Sequence, residues 1–188
     1  MSDVRYVTAG KPATGGSVFR APVGTALPTS TAASLNAAFK DQGYISDEGL
    51  KNNNSPSSDK IKAWGGAAVL TLQTEKPDEW SFTLLNAKDI NVLKTVYGES
   101  GVSGALSTGI VVSASPDELP ASSWVFDMVL RGGALKRVVL PTATITEISE
   151  ITYSDTAAIG YGIKLNAAPD STGKTHYEYI ISGESGLA

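Results

Sequence analysis

One stretch of the sequence resembles the end of a phosphate-binding P-loop. In STGKTHY, Gly173, Lys174 and Thr175 stand in the order that closes that motif. Ala168 occupies the position where the motif needs its first glycine, and the following residues alternate like a strand instead of continuing as a helix. We therefore interpret the stretch as a polar hairpin turn, without a phosphate site.

The remaining residues that could do chemistry are too few and too scattered to form a site. His176 is the single histidine and the chain has no cysteine, so a Ser/His/Asp triad would depend on that one imidazole. We interpret it as a partly exposed spacer at the start of a strand. The acidic pairs Asp47–Glu48 and Asp117–Glu118 consist of adjacent residues, which point to opposite faces of a strand. The sequence predicts no catalytic residue, cofactor or metal site, and a protein that is not an enzyme.

Composition indicates a folded, mildly acidic protein. The chain has 188 residues, 41% hydrophobic and 18% charged, which fits one domain over residues 1–188. Its net charge of −4 disfavours tight binding to DNA phosphates. No run approaches the roughly 18 apolar residues of a membrane span, and the absence of cysteine fits assembly in a reducing cytoplasm.

Short alternating runs predict a mainly β fold, with about eight or nine strands. The run SSWVFDMVLRGG places Trp124, Phe126 and Met128 on one face of a strand. Residues 66–87 are interpreted as a β-hairpin turning at KPDE. Ile145 and its neighbours repeat every third residue, and their β-branched side chains favour a bulged strand over a helix.

Two segments have helical character. AKDINVLKTVYG predicts the clearest helix, with Asp89 in its first turn and Gly98 at its end. Residues 32–39, AASLNAAF, predict a weak helical turn. The fold class is therefore a β-sandwich or barrel with one flanking α-helix.

Residues outside the predicted core suggest a contact surface. Trp80 and Trp124 open strands and are expected to fill the core, whereas Trp64 borders a polar stretch and is expected to anchor an interface. That stretch, residues 46–60, reads SDEGLKNNNSPSSDK and is interpreted as a long structureless loop that acts as a tether or a contact surface.

The order of these segments carries a resemblance. FKDQGYISDEGLKNNNSPSSDKIKAWGG, followed by VLTLQTEKPDEWSFTLLNAKDINVLKTVYG, resembles the major tail protein of long-tailed, noncontractile bacteriophages, especially those of actinobacterial hosts. The specific signal covers residues 39–98, about half of the chain; Asn86 and Ala87 depart from the pattern, because a Glu-containing variant is expected before the helix.

The resemblance implies a structural virion protein, assembled in the host cytoplasm, whose hexameric rings stack into a tail tube. The tape-measure protein and then the genome would pass through this tube without specific DNA binding, and terminator and distal tail proteins would cap it. The resemblance also implies that residues 52–62 reach a neighbouring ring. The predicted inter-ring residues are Asn52, Asn53, Asn54, Ser55, Ser57, Asp59, Lys60 and Trp64. The N-terminal arm (1–16) and the C-terminal end (182–188) are expected to be flexible until assembly.

The resemblance further implies a channel wall that is one β-barrel shared by six subunits. Alternation then points Ile45, Ile61, Trp124 and Phe126 into the subunit, and leaves as lumen candidates Glu48, Lys60, Lys62, Asp127 and Arg131. Val129 is expected on an edge strand of this wall. A proline at this position is expected to block assembly while barely affecting the fold of the monomer. The alternative function is a β-sandwich module that binds carbohydrate or another surface, and such a module would stay monomeric.

Overall fold

The fold is taken from a computed structural model, which describes residues 3–14 and 16–183 apart from the side chain of Arg5. Within that part of the chain there are thirteen strands, one α-helix and a 3₁₀ turn at Val4–Tyr6. The elements are β1 (Gly10–Pro12), β2 (Val18–Pro22), β3 (Lys40–Asp41), β4 (Lys51–Asn53), β5 (Ser57–Lys62), β6 (Ala68–Glu75), β7 (Glu79–Leu84), α1 (Ile90–Tyr97), β8 (Val102–Ala105), β9 (Gly109–Val112), β10 (Ser122–Leu130), β11 (Leu135–Ile148), β12 (Tyr161–Ala167) and β13 (Tyr177–Ile181). The mainly β prediction with one flanking helix is confirmed.

The main sheet has nine antiparallel strands, with a path β3-β2-β10-β11-β12-β7-β4. β11 is long enough to have two neighbours on one side, β12 near its end and β13 near its start. β1 extends the sheet beside the end of β10. Two further hairpins, β5–β6 and β8–β9, form separate two-stranded sheets. The sheet of a single chain is therefore open and is not a closed barrel.

The hydrophobic core lies on both faces of β10. Trp124 and Phe126 are almost fully buried on one face, and Val125 is buried on the other. Trp80 stacks on Phe126 with ring centroids 6.1 Å apart. Such aromatic pairs add about 0.5–1.5 kcal/mol beyond the area that they bury. The predictions that Trp80 and Trp124 fill the core, and that Trp124 and Phe126 share a face, are confirmed.

The predicted helix is confirmed as α1. Asp89 is its N-cap, and the carboxylate accepts a hydrogen bond from the Asn91 backbone N–H at 2.8 Å. Gly98 ends the helix with φ 86°, a conformation that favours glycine. The bulge predicted near Ile145 is also confirmed, since the register between β11 and β12 shifts between Ile145 and Glu147.

The helical turn predicted for residues 32–39 is wrong. The segment forms bends and turns that pack Leu35, Ala38 and Phe39 against the face of the sheet that carries Val125. The Arg137 guanidinium donates to the carbonyl oxygen of Ala33 in this segment at 2.6 Å, and to that of Ser30 just before it at 2.9 Å. Eight residues of weak propensity cannot sustain a helix against these contacts.

The hairpin predicted for residues 66–87 is also wrong. β6 pairs with β5, whereas β7 pairs with β12 and β4. The reversal occurs earlier, at Gly65 and Gly66, whose φ angles of 101° and 90° form the turn between β5 and β6. The turn residue Asp78 is instead drawn into the protein, where its carboxylate is buried. Alternation alone identified the strands but not their partners.

Candidate assembly surfaces

The β5–β6 hairpin, residues 57–75, forms an arm. Every residue of both strands is exposed, and neither strand pairs with the main sheet within the described residues. The register aligns Ile61 with Leu70 and Asp59 with Leu72, so Ile61, Leu70 and Leu72 share one largely apolar face, which also carries Asp59. They are 47%, 50% and 46% exposed, respectively. An isolated two-stranded sheet is at best marginally stable in water, so the arm is a surface in need of a partner.

The tip and the opposite face of the arm have different chemistry. Trp64, in the turn between the strands, has its side chain entirely in solvent. Lys60 aligns with Thr71 on the face opposite to Leu70. The arm is therefore an amphipathic hairpin with an aromatic tip. The prediction that Ile61 points into the subunit core is wrong, because the whole hairpin projects away from that core; Ile45 does pack against it.

The interpretation of residues 46–60 as a structureless loop is wrong. They include β4 and the first four residues of β5. Asn52 and Asn53 lie in β4, where their amides donate to Asp78 at 2.8 Å and Glu79 at 3.1 Å. Leu50, the one large apolar residue of the stretch, packs against the hydrophobic core, and its polar residues Asn52 and Asn53 bind carboxylates of the neighbouring segment. Of the predicted inter-ring residues, Asn52 and Asn53 thus belong to the root of the arm, Ser57, Asp59, Lys60 and Trp64 to the arm itself, and Asn54 and Ser55 to the link between.

A buried carboxylate organises the root of the arm. Asp78 is 2% exposed and accepts hydrogen bonds from Asn52 at 2.8 Å and from His176 Nδ1 at 2.5 Å. The His176 ring also meets the Trp80 ring edge-on, with centroids 5.3 Å apart. These contacts join the chain entering the arm, the chain leaving it and the start of β13. The lone histidine is therefore a structural partner of Asp78. This contact could not be predicted from the sequence, because 98 positions separate the two residues.

The electrostatics of Asp78 favour its charged form. Burial raises the pKa of the carboxyl, but hydrogen bonds from Thr175, His176 and Asn52 outweigh burial and lower the pKa below its ordinary value of 3.8. A carboxyl with a lowered folded-state pKa stabilises the protein fully above the pKa of the unfolded state. That stabilisation is lost as the pH falls through the folded-state value.

We expect Asp78→Asn to lower the free energy of unfolding at pH 7 by about 2–3 kcal/mol, because charge-assisted hydrogen bonds to a buried group are lost. The difference from the unmodified protein should shrink below about pH 4, where the carboxyl of the unfolded chain is already protonated. Urea unfolding at several pH values measures both effects. Asp155→Asn, at an exposed bend, is the control; an Asp78→Asn deficit that is the same at pH 7 and pH 3 would contradict the electrostatic origin.

The position of Val129 differs from the prediction. Val129 aligns with Lys11 of β1 on one side and with Leu135 of β11 on the other. The edge of β10 is covered along its whole length, by β2 next to Phe126 and then by β1. The expectation that Val129 lies on an edge strand is therefore wrong, and a proline there would disrupt the sheet of the subunit itself.

The two ends of the chain were predicted to be flexible until assembly. β1 lies within the N-terminal segment of residues 1–16, whose flexibility stays a prediction. Of the C-terminal end, residues 184–188 lie outside the described residues.

The lumen candidates fall into two groups. Glu48 and Asp127 are ion-paired, with Lys51 at 2.5 Å and with Arg137 at 2.6 Å, respectively. Lys60 and Lys62 lie on the exposed arm, and Arg131 follows β10 at the turn into β11. That these five residues face a lumen stays a prediction.

The stretch that resembles a P-loop forms a tight turn. The Asp170 carboxylate accepts hydrogen bonds from the backbone N–H groups of Thr172 at 2.8 Å and Lys174 at 3.1 Å. β13 follows, as the alternation predicted, but it pairs with β11 and not with β12, so the turn does not close a hairpin. Over the described part of the chain no cluster of His, Asp and Glu side chains could hold a metal ion, and no helix is long and apolar enough to cross a membrane.

Comparison with known proteins decides between the functions that these surfaces allow. A family model described as "Phage tail tube protein" matches residues 4–185, almost the whole chain. The chain belongs to the phage tail tube protein family. Membership gives it a structural role in the tail of the virion, in assembly with itself and with other tail proteins. The family is structural, which agrees with the prediction of a non-enzymatic protein.

Two further comparisons add context. A similar solved structure is the "Cryo-EM structure of the anti-feeding prophage cap (AFP tube terminating cap)", with 8% identity, a TM-score of 0.44 and coverage of 91% of this chain and 93% of that chain. A search of curated proteins finds no match.

Proposed function

We propose that this tail tube protein forms hexameric rings that stack into the tube through which the tape-measure protein and then the genome pass. The observation that carries the proposal is the arm, a hairpin with an apolar face and no partner within the described subunit. A monomeric protein rarely keeps such a surface in water. Residues 1–188 act as one tail tube domain, and terminator and distal tail proteins meet the two ends of the tube.

The wall of the channel is a barrel that six subunits share. The single chain supplies an open sheet with free edges, and closing a ring is a way of covering such edges. The ring is built in the host cytoplasm and becomes part of the virion tail. Neighbouring rings meet through the predicted inter-ring residues, of which Trp64 at the tip of the arm is the most exposed anchor.

The charge of the ring suits a conduit for DNA. Six copies with a net charge of −4 give a ring of about −24, which repels phosphate. The lumen candidates do not supply this repulsion themselves, because Lys60, Lys62 and Arg131 are cations without an ion pair among the described contacts. Glu48 and Asp127 contribute little net field, because each is neutralised by a cation on the same subunit.

Electron microscopy of the purified protein tests the proposal. We expect rings or tubes about 100 Å wide, the size of a hexamer of domains of this length. Analytical ultracentrifugation over a concentration series gives the matching oligomeric state. Persistent monomers at every concentration, together with binding to a glycan or a cell surface, would overturn the tube and support a carbohydrate- or surface-binding module.

A further inference from the structure

The outer edge of β13 is the longest free edge of the main sheet. β13 (Tyr177–Ile181) pairs with β11 on one side only, and no strand in the described residues lies on its other side. At the two ends of the sheet path, β3 has two residues and β4 has three. β13 therefore presents a five-residue edge on which the outward-pointing N–H and C=O groups of every second residue are unpaired, and such an edge is a template for another strand.

This edge lacks the usual protection. Natural proteins cover exposed edges, or place proline or unpaired lysine on them. β13 contains neither, and its one charged side chain, Glu178, is paired with Lys136 at 2.9 Å. Ile180 and Ile181 are 61% and 51% exposed beside it. An apolar, unpaired edge of this kind is suited to strand addition.

The arm, in turn, needs an additional strand. It is a two-stranded sheet with free outer edges, and a third strand is what such a hairpin needs to become stable. β6 has eight residues, enough to span the five of β13. Pairing the two would also bring Leu70 and Leu72, which share one face of β6, beside whichever of Ile180 and Ile181 points to that face, and this removes apolar surface from water on both partners.

The arm that pairs with β13 has to come from another copy of the chain. Within one subunit the arm forms no pairing with β13. The arm and the β13 edge are different surfaces of the same chain, so the contact between copies is heterologous. A heterologous contact repeated around an axis closes into a ring, whereas pairing of two identical edges stops at a dimer.

We propose that the free edge of β13 in one subunit pairs with the arm of the next subunit, and that this is the joint through which the ring closes. The inference rests on the proposed tube function and names the partner of the arm within it. In this arrangement β10, β11 and β13 of one subunit continue into β5 and β6 of its neighbour. The tip of the arm, with Trp64, remains free to reach the next ring.

A lysine on the edge tests the joint. Ile180→Lys should leave the monomer folded, because the side chain is exposed there, but should reduce the sedimenting assembled fraction at least ~tenfold, since the joint would bury an unpaired charge. Val111→Lys is the matched control, because Val111 is also 61% exposed and lies in the β8–β9 hairpin. Tubes of Ile180→Lys that form as well as those of the control would overturn the joint, while an unmodified protein without tubes would instead overturn the proposed function.

Cross-linking identifies the partner directly, because the chain has no cysteine of its own. Ile180→Cys protein is mixed with protein carrying one cysteine at position 69, 70, 71 or 72 of β6, and the assembled mixture is oxidised. Disulfides need Cα atoms within about 7 Å, so at least one mixture should give dimers that contain both proteins. Dimers formed only by Ile180→Cys with itself, or no mixed dimer in intact tubes, would overturn the pairing with the arm.

Discussion

Removal of the arm is expected to leave a folded subunit that forms no tubes. Asn53 aligns with Glu79 across β4 and β7, so the chain enters and leaves the arm at neighbouring positions of one antiparallel pair. Residues 55–77 can therefore be replaced by a two-residue Asn-Gly turn placed between Asn54 and Asp78. The body should lose little stability, because the residues of both strands of the arm are exposed and neither strand pairs with the main sheet.

Assembly by the armless variant is measured by ultracentrifugation and electron microscopy, and its fold by circular dichroism and thermal unfolding. A shorter deletion, of residues 52–58 alone, would be less specific, because it would also remove most of β4 and the hydrogen bond from Asn52 to Asp78. Tubes formed by the armless variant would contradict the assembly role of the arm. Loss of the fold would show that the arm stabilises the body.

The largest expected loss of stability is that of Arg137→Met. Arg137 is 6% exposed and forms a two-pronged ion pair with Asp127, with N–O distances of 2.6 and 2.8 Å. The same guanidinium donates to the backbone carbonyls of Ser30 and Ala33, and so fastens the segment before β3 onto the sheet. Removing one member of a buried pair leaves the other uncompensated, so the free energy of unfolding should fall by about 3–5 kcal/mol.

Denaturant unfolding measures this loss, and the neighbouring residue provides the control. Lys136 lies next to Arg137 in β11 and pairs with Glu178 at 2.9 Å, but this pair is more exposed. Lys136→Met should therefore cost less than about 1 kcal/mol. In the double variant Asp127→Leu/Arg137→Met part of the stability should return, because no buried charge is left unpaired. Equal effects of the two single variants would contradict a special role for Arg137.

Local patterns were sufficient where neighbouring residues decide the structure. Helix α1 follows from the apolar spacing between Ile90 and Val96, the capping carboxylate of Asp89 and the terminating Gly98, all within one short segment. The shared face of Trp124 and Phe126 follows from alternation along one strand. The order of segments between residues 39 and 98 was also enough to indicate the tail tube family, which the match over residues 4–185 then established.

Strand partners were decided by tertiary structure, because alternation gives the faces of a strand and not its neighbours. For β6, two glycines before the strand made β5 its partner, and the segment at Asp78 became a buried link instead of a hairpin turn. For Val129, the short β1 strand, which has little sequence signal of its own, converted an expected edge into the interior of the sheet.

The polar stretch shows the same division most clearly. Its composition indicated that residues 46–60 contribute almost nothing to the hydrophobic core, and the structure agrees except for Leu50, which packs against that core. Composition could not distinguish a loose loop from strands whose side chains bind carboxylates elsewhere in the chain. The hydrogen bonds of Asp78 with Asn52 and His176 join residues 26 and 98 positions apart, and only the folded chain brings their donors and acceptor together.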